Sequence, residues 1–413
     1  MIAKAHSRKS LSLLLLIGLT GAAVAEDWPQ WRGPNRDGGS TETGLLKQWP
    51  EGGPKLVWKA DGLGAGYSSV AVADGRIITL GDLDDGSYAI AIQESNAKPL
   101  WKTRIGGAGG HRKYPGTRST PTIAGKQVFI LNQFSDLVCL DAATGKKIWS
   151  RNLVDEFGGK MMSGWKYSES PLVDGDKVLC TPGGSDGTVL ALNRNTGKKI
   201  WRTTDWTDTA GYSSIIIKTI HGKRQYIQLT GASVAGIDPD SGDILWRAAR
   251  QGKTAVISTP VVEENIVFVT SGYGVGCNAF GIHKQGAKWT AKEIYANLNI
   301  ANHHGGVVKR GNHVFGSSGA TFRCLDIETG ELAYNERSVG KGATVYADGH
   351  FYLRSEKGPV ALIVATPKGL TEAGRFQQPN RSGKQTWPHP VVANGKLYLR
   401  DQDILLCYDI AAK

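Results

Sequence analysis

Asp141-Ala-Ala-Thr-Gly145-Lys-Lys-Ile-Trp149 returns as Asn193-Arg-Asn-Thr-Gly197-Lys-Lys-Ile-Trp201 and again as Asp238-Pro-Asp-Ser-Gly242-Asp-Ile-Leu-Trp246. Weaker copies run from Gln93 to Trp101, from Gly281 to Trp289 and from Asp326 through Gly330 to Tyr334. Tryptophans 58, 101, 149, 201, 246 and 289 are 43, 48, 52, 45 and 43 residues apart. A period of roughly 40–50 residues is one supersecondary unit repeated along the chain. In each copy Asp or Asn can bond the backbone two residues on, while Gly takes the left-handed position. The Trp is large enough to fill a wedge between neighbouring units, a structural role.

A second marker counts the units. Turns at Asp74-Gly75, Ala124-Gly125, Asp174-Gly175, His221-Gly222, Glu264-Asn265, Arg310-Gly311, Asp348-Gly349 and Asn394-Gly395 are each followed by a β-rich run. Asp-Gly and Asn-Gly between such runs are strong hairpin signals. Each unit therefore reads as four antiparallel strands, a propeller blade. The last unit stops at Lys413 before its final strand, and Lys55-Leu-Val-Trp58-Lys supplies a candidate for it. The expected fold is all-β, an eight-bladed propeller over residues 54–413 closed by an N-terminal strand, with 26–53 as an extension. Closure leaves no free sheet edge.

Composition narrows the setting. Lys4, Arg8 and Lys9 precede an apolar run from Leu11 to Ala23 and the small residues Ala23-Val24-Ala25. That is the pattern of a signal peptide cleaved after Ala25. Its apolar run is too short to span a bilayer of ~30 Å as a helix. An exported protein, periplasmic or secreted and monomeric, is expected. The formal charge is +12, with the excess scattered through Gly-Lys-Lys turns, and no nucleic-acid motif is present. Cys139, Cys324 and Cys407 fall at one repeat position, where other copies have Ala91, Ala191 and Gly236. Equivalent positions on different units lie too far apart to bridge, so cysteine there is a small buried hydrophobe.

The Asp-x-x-Thr-Gly-x-x-x-Trp copies resemble the blade motif of the quinoprotein (PQQ) repeat class. Asp27-Trp-Pro-Gln-Trp-Arg-Gly-Pro-Asn35, Trp165-Lys-Tyr-Ser-Glu-Ser-Pro171, Trp387-Pro-His-Pro390 and Leu399-Arg-Asp-Gln-Asp403 look most like exported bacterial propellers labelled polyvinyl-alcohol-dehydrogenase-like or PQQ-binding-like. The resemblance implies an eight-bladed fold and leaves activity open between quinone-dependent dehydrogenases and scaffolds of outer-membrane protein assembly. The sequence lacks the adjacent cysteines of the alcohol dehydrogenases, the Cys-x-x-Cys-His of haem-linked relatives and a lipid-attachment cysteine after the leader.

Function is expected where the repeats disagree. Aligned on the turns, Ser69, Thr120, Ser170, Ser214, Thr259, Gly306, Ala343 and His389 form one ring at the channel, where only small side chains fit. Two residues earlier stand Tyr67, Arg118, Ser168, Tyr212, Ile257, His304, Lys341 and Trp387. Residues two apart on a strand share a face. Bulky, polar-tipped and variable, the second ring is the expected ligand or partner site, with Trp165 beside it. A quinone-dependent enzyme would use Trp387 or Trp165 as a platform and Arg118 or Lys341 for carboxylates, with Glu169 as base or calcium ligand. Calcium needs six to eight oxygens, and Glu169 is the one carboxylate in these rows. His303 and His304 suggest a metal site only weakly, because adjacent residues on a strand point to opposite faces. The reading that emerges is a non-catalytic scaffold binding a protein or polymer at the channel mouth, with no established cofactor and no metal. The alternative is a periplasmic PQQ-dependent alcohol or polyol dehydrogenase using calcium.

Overall fold

A computed structural model describes residues 26–412, so the expected leader lies outside the described residues. Thirty-two strands form eight four-stranded antiparallel sheets arranged as blades, with no helix among the described residues. Blades 1 to 7 span residues 71–106, 122–152, 172–202, 216–249, 261–297, 307–337 and 342–377. In blade 8, Val391–Ala393, Lys396–Asp401 and Ile404–Asp409 are joined by Lys55–Ala60, which pairs antiparallel with the last of them.

The repeat motif works as an inter-blade clasp. Asp141 Oδ1 accepts the Ala143 and Thr144 amides at 3.1 and 2.8 Å and the Thr144 hydroxyl at 2.8 Å. This folds the turn so that Gly145 stands at φ +71°, beneath the ring of Trp101 from the preceding blade. The Trp101 indole N–H donates to Ala142 O of the same turn at 3.1 Å. Trp149 does the same to Arg194 O at 2.8 Å, Trp201 to Pro239 O at 3.1 Å and Trp58 to Glu94 O at 3.1 Å. A side chain on the turn glycine would collide with the ring, so glycine serves both the backbone angle and the stack.

The register explains the cysteines. Cys139, Cys324 and Cys407 pair directly opposite Trp149, Tyr334 and Trp58, next to a bulge in the outer strand. Ala91, Ala191 and Gly236 face Trp101, Trp201 and Trp246 in the same way. A large ring on one strand requires a small partner opposite it. All five cysteines are buried and free.

Two blades depart from the motif. In blade 5 the residue opposite the small position, Ala279, is Tyr295; Trp289 lies near the hairpin tip opposite Lys284. Tyr295 O–H makes the clasp to Ile327 O at 2.9 Å. The even spacing of Trp289 was therefore fortuitous, because the blade 5 hairpin is extended to ten-residue strands. In blade 7 the equivalent place is Gly374, and Trp49 from the N-terminal segment packs over it, edge-on to Phe376 at 5.4 Å.

The apolar core is a ring of separate wedges between blades rather than one centre. One links Ile78 and Leu80 to Val128 and Ile130, and another links Leu353 and Phe351 to Phe315 and Phe322. The largest joins blades 7, 8 and 1 and includes Trp28, Leu45 and Trp49 from outside the repeats.

Candidate functional site: an aromatic mouth floored by the N-terminal arm

Residues 26–53 form an arm that crosses the end of the channel. Trp28 exchanges backbone hydrogen bonds with Val72 of blade 1, both at 2.8 Å, and Pro29 O accepts from Ile123 of blade 2 at 2.8 Å. Arg36 donates to Ser170 O and Pro171 O before blade 3, at 2.7 and 3.1 Å. Arg32 reaches Val307 O of blade 6, and Ser40 N reaches Tyr346 O of blade 7 at 2.8 Å. The arm thus touches blades on every side of the axis. Arg32 and Arg36 adopt φ of +59° and +57°, a left-handed geometry that costs a non-glycine residue roughly 1–2 kcal/mol. Burial of both guanidiniums lowers their pKa to about 10, so both stay charged at neutral pH while carbonyls solvate them.

Small side chains of the first ring make room for this arm and tie the blades. A Cβ on Gly306 would overlap the Arg32 guanidinium. Ser170 Oγ accepts Thr120 N at 2.8 Å, Ser214 Oγ accepts Ser170 N at 3.0 Å, and Ser69 Oγ donates to His389 O at 2.8 Å. These hydroxyls stitch adjacent blades where eight chains converge.

On the other side of Trp31 the channel opens into a ring-lined pocket. Trp31 is its floor: the indole N–H donates to Thr259 Oγ1 at 3.0 Å, and the ring lies 4.5 Å from that of His389. Tyr67, Arg118, Ser168, Tyr212, Ile257, His304 and Trp387 of the second ring all line the pocket. So do Trp165 and His389. Most of these residues sit in extended connections just before the inner strands, not within them. Lys341 stands apart, lining an adjoining depression with Tyr273 and His303.

Tyr67 and Trp387 rings are 4.5 Å apart, and the Arg118 guanidinium lies 5.2 Å from Tyr67 and 5.8 Å from Trp165. Arg118 donates to Gly116 O at 2.9 Å and to Tyr114 O. Burial lowers its pKa, and among the described residues that line the pocket there is no carboxylate to pair with it. The glycine-rich connection of 106–118 brings two further rings. His111 stacks on Trp165 at 4.1 Å and 4°, and Tyr114 approaches Trp387 at 4.9 Å.

Glu169 is not in this pocket. It is buried between blades, where its carboxylate accepts Thr181 N at 2.7 Å, Thr181 Oγ1 at 3.0 Å and Gln228 Nε2 at 3.3 Å. Burial raises its pKa to about 8 against these bonds and the Arg36 charge. In the extended connection before blade 3 its side chain turns to Thr181 and Gln228, whereas Ser168 lines the pocket. A general base must reach its substrate within hydrogen-bond distance, and Glu169 has no such access.

The carboxylate at the mouth is Glu356, which the repeat alignment missed because it follows the second strand of blade 7. Its Oε1 accepts His304 Nε2 at 2.6 Å, Trp387 Nε1 at 2.8 Å and Lys341 Nζ at 3.0 Å. Burial pushes this carboxyl up, but the His304 hydrogen bond and the Lys341 ammonium prevail and hold it at about 2. Glu356 thereby fixes two of the lining rings. His303 and His304 both face the pocket, with ring centroids 5.1 Å apart. Residues 301–304 are not a strand, so the alternation that would separate them does not operate. Burial holds His303 and His389 at about 3, so both are neutral at pH 7, and it also lowers His304 against the pull of Glu356.

The PQQ_2 family model, described as outer membrane protein assembly factor BamB, matches residues 109–335. The chain belongs to this family of PQQ-repeat propellers. The propeller is 30% identical over 266 residues to outer membrane protein assembly factor BamB of Burkholderia pseudomallei, covering 60% of this chain and 64% of that one. It is also 30% identical over 162 residues to quinoprotein ethanol dehydrogenase of Pseudomonas aeruginosa, covering 36% of this chain and 25% of that enzyme. It therefore spans a quarter of the dehydrogenase and just under two thirds of the assembly factor. Among solved structures, BamB from Moraxella catarrhalis superposes with a TM-score of 0.60 at 15% identity, over 86% of this chain and all of the other. Quinohemoprotein alcohol dehydrogenase from Comamonas testosteroni gives 0.63 at 12%, over 94% and 81%. Both structural likenesses concern the fold.

Proposed function

We propose that the protein is an exported, non-catalytic binding propeller that takes a segment of a partner protein or polymer into the aromatic mouth. The carrying observation is the combination of a ring-lined pocket with the absence of any free carboxylate among its described lining residues. Aromatic surface of this kind gives large contact area at low entropic cost. The relatives named as assembly factors support a partner-binding role. The expected leader over residues 1–25 supports export, periplasmic or secreted, and a monomer suffices for the site.

The donor set fits a calcium-bound quinone poorly. Trp165 and Trp387 offer platforms and Arg118 a cation, but calcium needs six to eight oxygens. Glu169 is enclosed and Glu356 Oε1 already takes three donors. The dehydrogenase reading rests on the partial match to quinoprotein ethanol dehydrogenase.

Purified protein titrated with PQQ and calcium, then assayed for alcohol-dependent dye reduction, tests the choice. No saturable PQQ binding and no turnover are expected; turnover lost in Glu356→Gln would overturn the binding-protein reading. Pull-down from the exported fraction should recover a partner with wild type and lose it with the Arg118→Ala/Trp387→Ala double variant. Equal recovery by both proteins would move the interface away from the mouth.

A further inference from the structure

We propose that His303, His304 and Glu356 form a binding site for a borderline divalent transition metal, zinc above all, at the rim where the pocket meets its neighbouring depression. One donor atom from each of the three residues lies within 4.8 Å of the other two. Donors sharing one zinc at about 2.0–2.2 Å sit about 3.4 Å apart in tetrahedral geometry. Closure of the widest separation by about 1.4 Å is therefore sufficient, and the His303 ring, only partly buried, is the one placed to turn. Two imidazoles and a carboxylate suit zinc and its neighbours, whereas calcium or magnesium would want oxygen alone.

Independent of that convergence, the Nδ1 atoms of His303 and His304 are buried without a hydrogen-bond partner. An unsatisfied buried polar atom costs roughly 1–3 kcal/mol, so each such atom needs a reason. A metal held by one ring satisfies a nitrogen that the protein leaves unpaired. His304 is 93% buried by its 7% exposure, which fixes its aim, and Tyr273 O–H lies 2.9 Å from His303 Nε2 and orients the other ring. His303 and Tyr273 face the adjoining depression as well as the pocket that His304 lines, which gives an ion and its waters a way in.

Lys341 is the built-in competitor. Its ammonium lies 3.0 Å from Glu356 Oε1 and neutralises the carboxylate. With its side chain 36% exposed it can withdraw into solvent when a cation of higher charge arrives. Three protein ligands leave at least one coordination position open to the mouth. The metal would then be an anchoring point for whatever oxygen or nitrogen atom a ligand brings there, and the site stands whether or not the partner-binding reading does.

The test is isothermal titration of untagged, chelator-stripped protein with Zn2+, alongside Co2+ absorption to report the ligand field. One equivalent is expected to bind to wild type. His303→Ala and Glu356→Gln should weaken it about tenfold or more, while the surface variant His313→Gln should not. Lys341→Met should tighten it, an outcome that misfolding cannot produce. Absence of saturable binding in wild type, equal binding by His303→Ala, or no gain in Lys341→Met would each overturn the proposal.

Discussion

The Trp31 ring of the N-terminal arm lies 4.5 Å from the His389 ring of blade 8 and closes the channel beneath the mouth. His389 Nε2 in turn donates to His304 O at 2.8 Å, so the floor packs on a ring that is hydrogen-bonded to the wall. The arm thus supplies one of the rings that line the pocket.

Trp31→Ala should leave the propeller folded while removing that floor. Because the ring is half-buried, the expected loss is about 2 kcal/mol, below the roughly 3–5 kcal/mol for a fully buried tryptophan. Urea unfolding measures it, and partner capture should fall with it. Full capture by a folded Trp31→Ala protein would show that the floor is dispensable.

Acidification should destabilise the fold before its carboxylates titrate. His303 and His389 are held at about 3 against an ordinary 6.5, so their contribution is present above 6.5 and lost as pH falls toward 3. Glu356, held at about 2, adds a loss between 4.5 and 2. Thermal midpoints across this range should show the first decline near pH 6.5. His303→Gln should reduce that early limb, and an unchanged limb would place the proton uptake elsewhere.

Glu169 has the opposite sign. Its folded pKa of about 8 lies above its ordinary 4.5, so stability is full below 4.5 and is lost as pH rises through 8. Glu169→Gln should therefore gain relative to wild type between pH 5 and 9. A parallel pair of stability curves would contradict the burial argument.

The clasp can be dissected with two glycines. Gly197 has φ +65° and an added Cβ would stand 2.9 Å from the Trp149 ring, whereas Gly222 has φ +74° with no neighbour within 4 Å of an added Cβ. Gly222→Ala should cost about 1 kcal/mol for the backbone alone, and Gly197→Ala about 1–3 kcal/mol because the ring must also shift. Equal losses in chemical denaturation would mean that the stack contributes nothing.

The blades were legible because their signals are local. Asp141, Thr144 and Gly145 bond within one turn, and the Gly turns mark each hairpin. Where the local signal shifted, in the long hairpin of blade 5, Trp289 was read for Tyr295. The second ring was legible for the same reason, since Tyr67, Arg118, Tyr212, His304 and Trp387 keep one offset from the inner strands. Trp31, Tyr273 and Glu356 have no repeat position to give them away.

By itself, the sequence determined the number of blades, the clasp and the row of unlike side chains at the channel, because each depends on spacing within a unit of about 45 residues. Only the tertiary structure decided that Trp31 floors the mouth, that Glu169 is sealed between blades and that Glu356 gathers Lys341, His304 and Trp387. Those relationships join residues tens to hundreds of positions apart. They are fixed by which face of a strand or loop turns inward once the ring has closed.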